Sequence, residues 1–419
     1  MIKKIWLINP FAMPPKYENR IQTLKRAQYL IELGYDVTII GGSFLHNTNI
    51  NLINGKEKFI EREYNGIKYI HIKTCSYKKN GFKRFYNLIE FPTRLMLHAK
   101  KFEKPDIIDI LGTIPFGNIL YFLTKRLKVK FILDIVDLWP ESFVGVGLIS
   151  RNNPLLKVAY WSEKWLYKRA DEIVFSMEGA KDYLIEKGWD KDNGGPIDLK
   201  KVHYINNGVD LKDFNEHKEK YVIDDDDLKN EDIFKVVYLG SIRLNNNVRL
   251  LIDAANLLSR FDNIKFLIYG DGNDRERLEK YCFENKIKNV IFKQRWVEIK
   301  YVPYILTRSS LNILNYMPTD VWRFGGSQSK SFQYMASGKP ICCNIKMGYC
   351  PITKFNLGIA KEFKDENEYA DAILNFYKMT EEEYNKICTN NLLAANEYDY
   401  KKLTSCFEEL ILKKYICQI

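Results

Sequence analysis

Short apolar runs alternate with amphipathic stretches along the first half of the chain. The runs have the length and the Ile and Val content of buried strands, whereas apolar positions in the stretches recur every three or four residues, as on one face of a helix. Strands are predicted at 5–8, 36–40, 69–72, 107–111, 131–136, 172–176 and 202–205. Helices are predicted at 20–33, 82–102, 118–127 and 155–169. This alternation is typical of a parallel sheet covered by helices.

The same alternation begins again after residue 233. Strands are predicted at 234–239, 265–269, 290–292, 311–314 and 341–343, and most of 366–419 has a helical pattern. Because 419 residues exceed what one hydrophobic core usually organises, we predict an α/β protein with two doubly wound, Rossmann-like domains. The predicted parts are a first domain at 1–210, a polar linker at 211–233, a second domain at 234–395 and a terminal segment at 396–419.

Composition narrows the class of protein. Eight Cys residues occur without a CxxC or Cys/His ligand spacing, which indicates reduced thiols, no structural zinc and a cytoplasmic protein. No apolar run is long enough for a membrane span or a signal peptide, so any membrane contact is expected to be peripheral, at the inner face. The acidic run Asp224–Asp227 is expected to be a solvated loop, and no metal site is predicted.

The net charge of +11 and the pI near 9.0 favour an anionic partner. No zinc-finger, RNA-recognition or basic-zipper pattern is present, so nucleic acid is not predicted as a partner. Residues 78–104 interleave Lys and Arg with aromatic and aliphatic residues. Such a segment suits an anionic membrane interface, but an ordinary helix with a solvated cationic face explains it equally well.

A glycine turn followed by a short helix is the most specific feature of the second half. Phe324, Gly325 and Gly326 allow the backbone to approach a ligand, and either Ser327 or Ser329 is expected to cap the helix. Lys330 adds a positive charge beside the N–H groups of the first turn, and Gln333 lies one helical step further on. The sequence therefore predicts an anion site here.

The segment from Ser327 to Pro340 resembles the nucleotide-sugar-binding signature of the family 4 retaining glycosyltransferases. The resemblance implies a GT-B architecture, in which two domains face a central cleft and the terminal helix returns to the first domain. It implies catalytic roles for Lys330, Gln333 and Asp137, no cofactor and no metal. One position departs, because Gln333 stands where that family has Glu. Gln333 can still hydrogen bond a ribose hydroxyl, but without charge, and the alternative is that it faces solvent.

The resemblance also implies a donor site at the ends of several strands. The family holds the donor's pyrophosphate with an Arg and, five residues later, a Lys, where this chain has Ser241 and Asn246. Arg243 or Arg249 is a candidate substitute, and a solvated surface role is the alternative for Arg243. Trp296 is either near the nucleobase or part of the core. The predicted donor-binding residues are Gly240, Ser241, Arg243, Gly270, Gly272, Arg295, Trp296, Phe324, Gly325, Gly326, Ser327, Ser329, Lys330 and Gln333.

On the acceptor side, Asp137 to Ser142 follows a predicted strand and resembles a motif of family 4 enzymes that build bacterial surface polysaccharides. The alternative is that Asp137 and Ser142 only cap a turn beside Pro140. Arg20 either contacts phosphate or sugar or pairs with Glu18. The predicted acceptor-side residues are Asn19, Arg20, Asp137, Trp139 and Glu141.

These features together predict a cytoplasmic, metal-independent glycosyltransferase. It is expected to move a sugar, by resemblance a UDP-linked and N-acetylated or deoxy sugar, to a membrane-associated glycan or lipid-linked acceptor, with retention. The alternative from another class is a catalytically silent, glycosyltransferase-like subunit that binds glycan or membrane, which Ser241, Asn246 and Gln333 favour. A GT-B sugar-nucleotide epimerase would leave the Asp137 to Ser142 motif unexplained.

Overall fold

The structure is a computed structural model that describes residues 3–18, 21–46, 48–77, 82–112 and 116–412. The chain forms two compact units. Unit 1 contains the described residues up to Asn206 and those from Leu403 onward, and unit 2 contains Asn207–Lys402. Each unit is described by itself below.

The described residues of unit 1 form an eight-stranded sheet in the order β3-β4-β2-β1-β5-β6-β7-β8. The strands are β1 (Lys4–Ile8), β2 (Asp36–Gly42), β3 (Phe59–Tyr64), β4 (Ile67–Ile72), β5 (Ile107–Leu111), β6 (Lys130–Ile135), β7 (Glu172–Phe175) and β8 (Val202–Tyr204). Neighbouring strands are parallel except for β3, which pairs antiparallel with β4. The strand β3 is not predicted by the sequence pattern, because it lies at the sheet edge, is largely exposed and lacks an apolar run.

The helices of unit 1 cover both the predicted and some unpredicted segments. They are α1 (Gln22–Glu32), α2 (Phe82–His98), α3 (Phe116–Leu127), α4 (Glu141–Gly145), α5 (Pro154–Arg169) and α6 (Ala180–Glu186). The start of α5 follows from its sequence, because the Asn153 side chain accepts a hydrogen bond from Leu155 N at 2.9 Å and Pro154 fits the first helical turn. The helix therefore begins and ends within one residue of its predicted bounds.

The sheet of unit 2 has six parallel strands in the order β11-β10-β9-β12-β13-β14. They are β9 (Phe234–Leu239), β10 (Ile264–Tyr269), β11 (Val290–Phe292), β12 (Leu311–Leu314), β13 (Ile341–Cys343) and β14 (Gly358–Ala360). The edge strand β14, which has three residues and no apolar run, was not predicted. The main core lies between the sheet and the helices α9, α10 and α14, whose bounds follow.

The helices of unit 2 continue the numbering. They are α7 (Leu211–Lys220), α8 (Asp226–Lys229), α9 (Val248–Leu257), α10 (Arg275–Glu284), α11 (Val302–Thr307), α12 (Ser329–Ala336), α13 (Pro351–Lys354), α14 (Glu366–Tyr377) and α15 (Glu381–Glu397). A last helix, α16 (Tyr400–Leu412), belongs to unit 1 from Leu403 onward.

The segment 211–233 is not the exposed connector that its composition predicts, since it contains α7 and α8 and belongs to unit 2. Within the acidic run, Asp225 is buried and caps α8. Its carboxylate accepts a hydrogen bond from Lys293 Nζ at 2.8 Å, and the same Nζ lies 2.5 Å from Asp227. The solvated-loop prediction is wrong for Asp225 because a distant lysine compensates its charge.

A buried charge cluster joins α1 to two central strands of unit 1. The Arg26 guanidinium donates to Asp109 on β5 at 2.8 Å and to Asp134 on β6 at 2.5 Å. Burial raises the pKa of Asp109 to about 7, although Arg26 opposes the shift. The guanidinium also lies over the Phe407 ring of α16, 4.4 Å from its centroid. This cation therefore connects both ends of unit 1's chain to its sheet.

Two further contacts attach α16 to unit 1. Tyr35 donates through its hydroxyl to Glu408 at 3.0 Å, and Lys130 Nζ donates to the carbonyl of Leu410 at 3.2 Å. Phe407 itself is fully buried. The terminal residues of the described chain thus complete the core of the first unit.

We expect Arg26→Met to lower the free energy of unfolding of unit 1 by about 3–5 kcal/mol, because it leaves two buried carboxyls without their cation. Urea denaturation followed by circular dichroism measures this loss. The control is Lys68→Met, which removes the exposed pair with Asp36 at 2.9 Å and should change stability by about 0.5 kcal/mol or less. Equal effects of the two substitutions would contradict the structural role of Arg26.

Candidate functional site

The strand order of unit 2 reverses between β9 and β12, which are neighbours in the sheet. From β9 the chain proceeds to β10 and β11 on one side, and from β12 to β13 and β14 on the other. Ligands of doubly wound sheets bind beyond the carboxyl ends of the strands at such a reversal. The turn after β9, at Gly240, and the segment before α12 both lie at this position. The candidate site is built from these two loops.

Glycines at the ends of β9 and β10 allow unusually close contacts. Gly240 has a φ of +154°, and a Cβ atom there would lie 1.8 Å from Lys330 Nζ. Gly270 has a φ of +122°, and its Cβ would lie 1.8 Å from the carbonyl oxygen of Gly240. A Cβ on Gly272 would lie 2.0 Å from the carbonyl oxygen of Ile242. The two turns therefore pack backbone on backbone, and the Lys330 side chain lies directly against Gly240.

Lys330 is a half-buried cation without a counter-ion among the described residues. Its ammonium lies 5.1 Å from the centroid of the Tyr238 ring. Burial lowers the pKa of Lys330 to about 8, and no carboxylate opposes the shift. Holding an ammonium group in such a place is unfavourable unless an anion joins it. The site is thus electrostatically suited to an anionic ligand.

The helix α12 begins at Ser329 with Gln328 as its N-cap residue, and no side chain caps it. The prediction that Ser327 or Ser329 caps this helix is wrong. Ser329 is exposed, and the Ser327 hydroxyl oxygen is buried without a hydrogen-bond partner in the described chain. The helix start is stabilised instead by Ser331, whose hydroxyl donates to the carbonyl of Gln328 at 2.6 Å. The first-turn N–H groups are therefore not occupied by a capping side chain.

The turn before α12 contains a backbone conformation that requires glycine at position 325. Gly325 adopts a φ of +95°, which residues with a side chain rarely tolerate. The preceding Phe324 is buried and anchors the turn to unit 2. A Cβ on Gly326 would meet the side chain of Gln328. The backbone of this turn is thus fixed on one side by an aromatic anchor and on the other by the start of α12.

Ser241 and Asn246 hydrogen bond to each other, with the Ser241 hydroxyl donating to Asn246 Oδ1 at 2.9 Å. This neutral pair occupies the positions where the resemblance implies two cations. Arg243 lies between them, is exposed, and forms no ion pair with any described residue. Gln333 is half-buried, and its side chain hydrogen bonds to no described residue. Both side chains are therefore available to a ligand.

Of three other predicted candidates, two are engaged with protein groups and one is exposed. Arg249 donates to Asp253 at 2.9 Å and lies 3.4 Å from the centroid of the Tyr281 ring, which weakens its candidacy as a replacement cation. Arg295 pairs with Asp271 at 3.0 Å. Trp296 is exposed, so the alternative that it belongs to the core is wrong.

Arg275 and Tyr334 position the site, and neither was predicted. The buried guanidinium of Arg275 donates to the carbonyls of Gly270 and Lys293, at the ends of β10 and β11. The Tyr334 hydroxyl donates to the carbonyls of Ile313 at 3.2 Å and Leu239 at 3.4 Å, which holds α12 against two strands. Arg275 is the first residue of α10, where a cation is unfavourable because it opposes the helix dipole. A cation at such a position is the feature of the sequence from which a special role for Arg275 was predictable.

The acceptor-side candidates lie in unit 1. Asp137 is exposed just after β6, and Trp139 is half-buried, with its ring centroid 4.0 Å from that of Phe143. Asn19 and Arg20 lie outside the described residues. Asp137 and Trp139 therefore lie in the loop at the carboxyl end of β6.

Glu141 is buried, and its carboxylate is occupied. It accepts hydrogen bonds from Lys187 Nζ at 2.7 Å and from the Tyr160 hydroxyl. Burial alone would raise the pKa of Glu141, but these two hydrogen bonds outweigh it and the pKa is lowered. Such an arrangement favours a role in holding α4 to its neighbours over contact with an acceptor.

Two protein-family models match the chain. The model described as Glycosyltransferase Family 4 matches residues 22–213, and that described as Glycosyl transferases group 1 matches residues 233–379. The first match covers most of unit 1 and ends within α7 of unit 2, the second lies in unit 2, and neither includes residues 214–232. The chain is a glycosyltransferase of GT-B architecture. The predicted fold class is thereby confirmed.

Solved structures resemble this glycosyltransferase over nearly its whole length. Sucrose-phosphate synthase from Thermosynechococcus elongatus is 16% identical, with 98% of each chain covered and a TM-score of 0.70. An E. coli trehalose-6-phosphate protein bound with UDP-2-fluoro glucose is 12% identical, with coverages of 99% and 100% and a TM-score of 0.74. Anabaena HepE in complex with UDP and glucose is 14% identical, with coverages of 98% and 100% and a TM-score of 0.64.

No curated protein matches the sequence of the glycosyltransferase. Among its described residues, no helix has the length and hydropathy to cross a membrane. Nor do three or more His, Cys, Asp or Glu side chains converge as metal ligands within the described ranges.

We expect Gly240→Ala to lower the free energy of unfolding of unit 2 by about 1–3 kcal/mol, because a side chain strains the backbone at this φ and the methyl group must also displace the end of the Lys330 side chain. The same substitution made together with Lys330→Ala should cost less, since the collision is gone and only strain remains. A double-mutant cycle in urea measures this coupling.

The control for the Gly240 substitution is Gly66→Ala, whose φ is +77° with nothing within 4 Å of the new Cβ. It should cost about 1 kcal/mol. Strict additivity of Gly240→Ala and Lys330→Ala would contradict the close contact.

Proposed function

We propose that the protein transfers a sugar from a UDP-linked donor to a membrane-associated glycan or lipid-linked acceptor during cell-surface polysaccharide synthesis. The observation that carries this proposal is Lys330, a half-buried ammonium group without a counter-ion in the described chain, beside the uncapped start of α12. Two structural neighbours solved with UDP or a UDP sugar support the choice of nucleotide. The sugar is proposed to be a hexose or an N-acetylated hexosamine.

The proposed chemistry depends on the departing diphosphate. The bond between the anomeric carbon and the β-phosphate oxygen breaks, and the oxygen takes the electron pair. Lys330 and the first-turn N–H groups of α12 would stabilise the charge that develops there. The acceptor oxygen then forms the new bond to the anomeric carbon, and its proton passes to the departing diphosphate oxygen. In this proposal neither a metal ion nor a cofactor takes part, and retention is assigned from the family resemblance.

Recognition of the rest of the donor is assigned to neighbouring side chains. Gln333 would hydrogen bond the ribose, and the exposed Arg243 would approach the diphosphate from the turn after β9. Trp296 is exposed at the end of β11, where its ring is available to a base. On the acceptor side, Asp137 and Trp139 are retained as sugar contacts, whereas Glu141 is assigned a structural role.

Lys330→Ala should weaken UDP binding about tenfold to a hundredfold, because it removes a charge-assisted contact to phosphate. Isothermal titration measures the change. The control is Lys280→Ala, which removes an exposed lysine paired with Glu284 and should leave UDP affinity unchanged. Failure of the unaltered protein to bind UDP or GDP would overturn glycosyl transfer.

The same contact gives UDP binding a distinctive pH dependence. Because the pKa of Lys330 is lowered to about 8, its ammonium form is depleted in the free protein as the pH rises through 8. UDP affinity should therefore fall between pH 7 and pH 9.5. Lys330→Arg, which stays protonated throughout this range, should remove the dependence. A pH profile identical in both proteins would exclude Lys330 as the source.

The second candidate function is a silent subunit that binds ligand without turnover, and the hydrogen-bonded pair Ser241–Asn246 favours it. The double substitution Ser241→Arg with Asn246→Lys restores the family's two cations. It should raise UDP affinity roughly tenfold if the pocket binds diphosphate. Release of UDP from UDP sugars by either form supports the enzyme, whereas binding without release by both forms supports the silent subunit.

A further inference from the structure

The outward face of α5 is apolar, although the helix lies at the surface of unit 1. Its inner face is buried through Leu156, Glu163, Leu166 and Tyr167. On the opposite side, Leu155, Val158 and Trp161 are 72%, 60% and 65% exposed. Because these residues are spaced three apart, they lie on one side of the helix, and Trp165 continues the row four residues later. Surface helices normally place polar residues there.

The neighbouring helix α3 extends this apolar row. The two helices pack closely, since a Cβ on Gly117 would lie 2.7 Å from the side chain of Leu166. The ring centroid of Phe122, a residue 55% exposed, is 5.9 Å from that of Trp165. We call the exposed surface of Phe122, Leu155, Val158, Trp161 and Trp165 the α3–α5 face.

The exposed charges that α3 and α5 themselves contribute are of one sign. The cationic residues of the two helices are exposed or half-buried, and they are Lys125, Arg126, Lys157, Lys164, Lys168 and Arg169. The one acidic residue in either helix is Glu163, which is buried and accepts hydrogen bonds at 2.8 Å from Tyr167 and Tyr183. Neither helix therefore contributes an exposed carboxylate to offset its cations.

This combination selects among possible partners by charge. A second copy of the chain, related by a two-fold axis, would place cations against cations. An anionic lipid surface accepts both features, because the apolar side chains enter the acyl boundary while Lys and Arg contact the headgroups. Tryptophan is enriched at this depth of a bilayer. The net charge of +11 acts in the same direction.

We propose that the α3–α5 face binds the surface of an anionic bilayer and holds the protein there peripherally. This deepens the proposed function, on which it rests for the membrane-associated acceptor. The two alternatives for residues 78–104, of which 78–81 lie outside the described residues, stay a separate prediction, and the α3–α5 face does not include that segment.

The test is co-sedimentation of the full chain with vesicles of phosphatidylglycerol and phosphatidylcholine, compared with vesicles of phosphatidylcholine alone. The unaltered protein should bind the anionic vesicles preferentially, and the binding should weaken with salt. Trp161→Ser should weaken partition about tenfold, because a large apolar side chain no longer enters the interface. Lys157→Glu with Lys164→Glu should weaken it by at least as much.

The matched control is Phe283→Ser on α10 of unit 2. Phe283 is 86% exposed, but its neighbours in sequence include Glu279 and Glu284. Its substitution should leave vesicle binding unchanged, and UDP affinity should be the same in every variant. Circular dichroism establishes that each variant is folded.

Several outcomes would overturn the proposal. The first is that Trp161→Ser binds anionic vesicles as strongly as the unaltered protein does. The second is that the unaltered protein binds neutral and anionic vesicles equally. The third is that the unaltered protein binds no vesicles but self-associates, and Trp161→Ser abolishes this self-association. The last result would assign the face to a second copy. Vesicle binding without UDP binding would leave the surface proposal standing and reject the proposed glycosyl transfer, so the two failures are distinguishable.

Discussion

The contact between the Lys330 side chain and the backbone of Gly240 determines the arrangement of the candidate site. There is no room for a Cβ at Gly240, and none at Gly270 against the carbonyl of Gly240. Gly240, directly after β9, leaves room for the Lys330 side chain, and Gly270, directly after β10, lets the next turn pack on the backbone of Gly240. The same contact removes water from the ammonium group, which explains both its lowered pKa and its need for an anion. Geometry and electrostatics at this site have one origin.

Elements with a buried face were predictable from sequence, whereas edges and long-range charges were not. The helix α5 has nearly its predicted bounds because Asn153 and Pro154 mark its start locally. The edge strand β3 was missed because few of its side chains are buried, so no alternation appears. Asp225 was misjudged because its partner Lys293 is 68 residues away in sequence. The periodicity of apolar residues indicates which side of a strand or helix is buried. It contains no information on which residue, distant in sequence, will form an ion pair with a given charge.

The candidate site shows the same division. Lys330 and the glycines were predicted because they belong to one short motif whose chemistry is local. Arg275 was not, since its role depends on carbonyl groups at the ends of two different strands. At the two positions where the resemblance implies cations, Ser241 and Asn246 instead hydrogen bond to each other and hold the turn after β9 together. A donor bound here would depend more heavily on α12 than in proteins whose turn is cationic.

The Arg26 cluster has a consequence for the order in which the protein is made. Arg26 lies near the beginning of the chain, yet the ring against which it packs, Phe407, comes almost at its end. A ribosome delivers every residue of unit 2 before it delivers that ring. All residues of unit 2 are thus synthesised while unit 1 still lacks the part of its core that α16 provides. Unit 1, whose synthesis begins first, is therefore the last to have all its residues. Until then the surface that Phe407 and the rest of α16 cover in unit 1 is exposed, and this is where assistance from a chaperone would act.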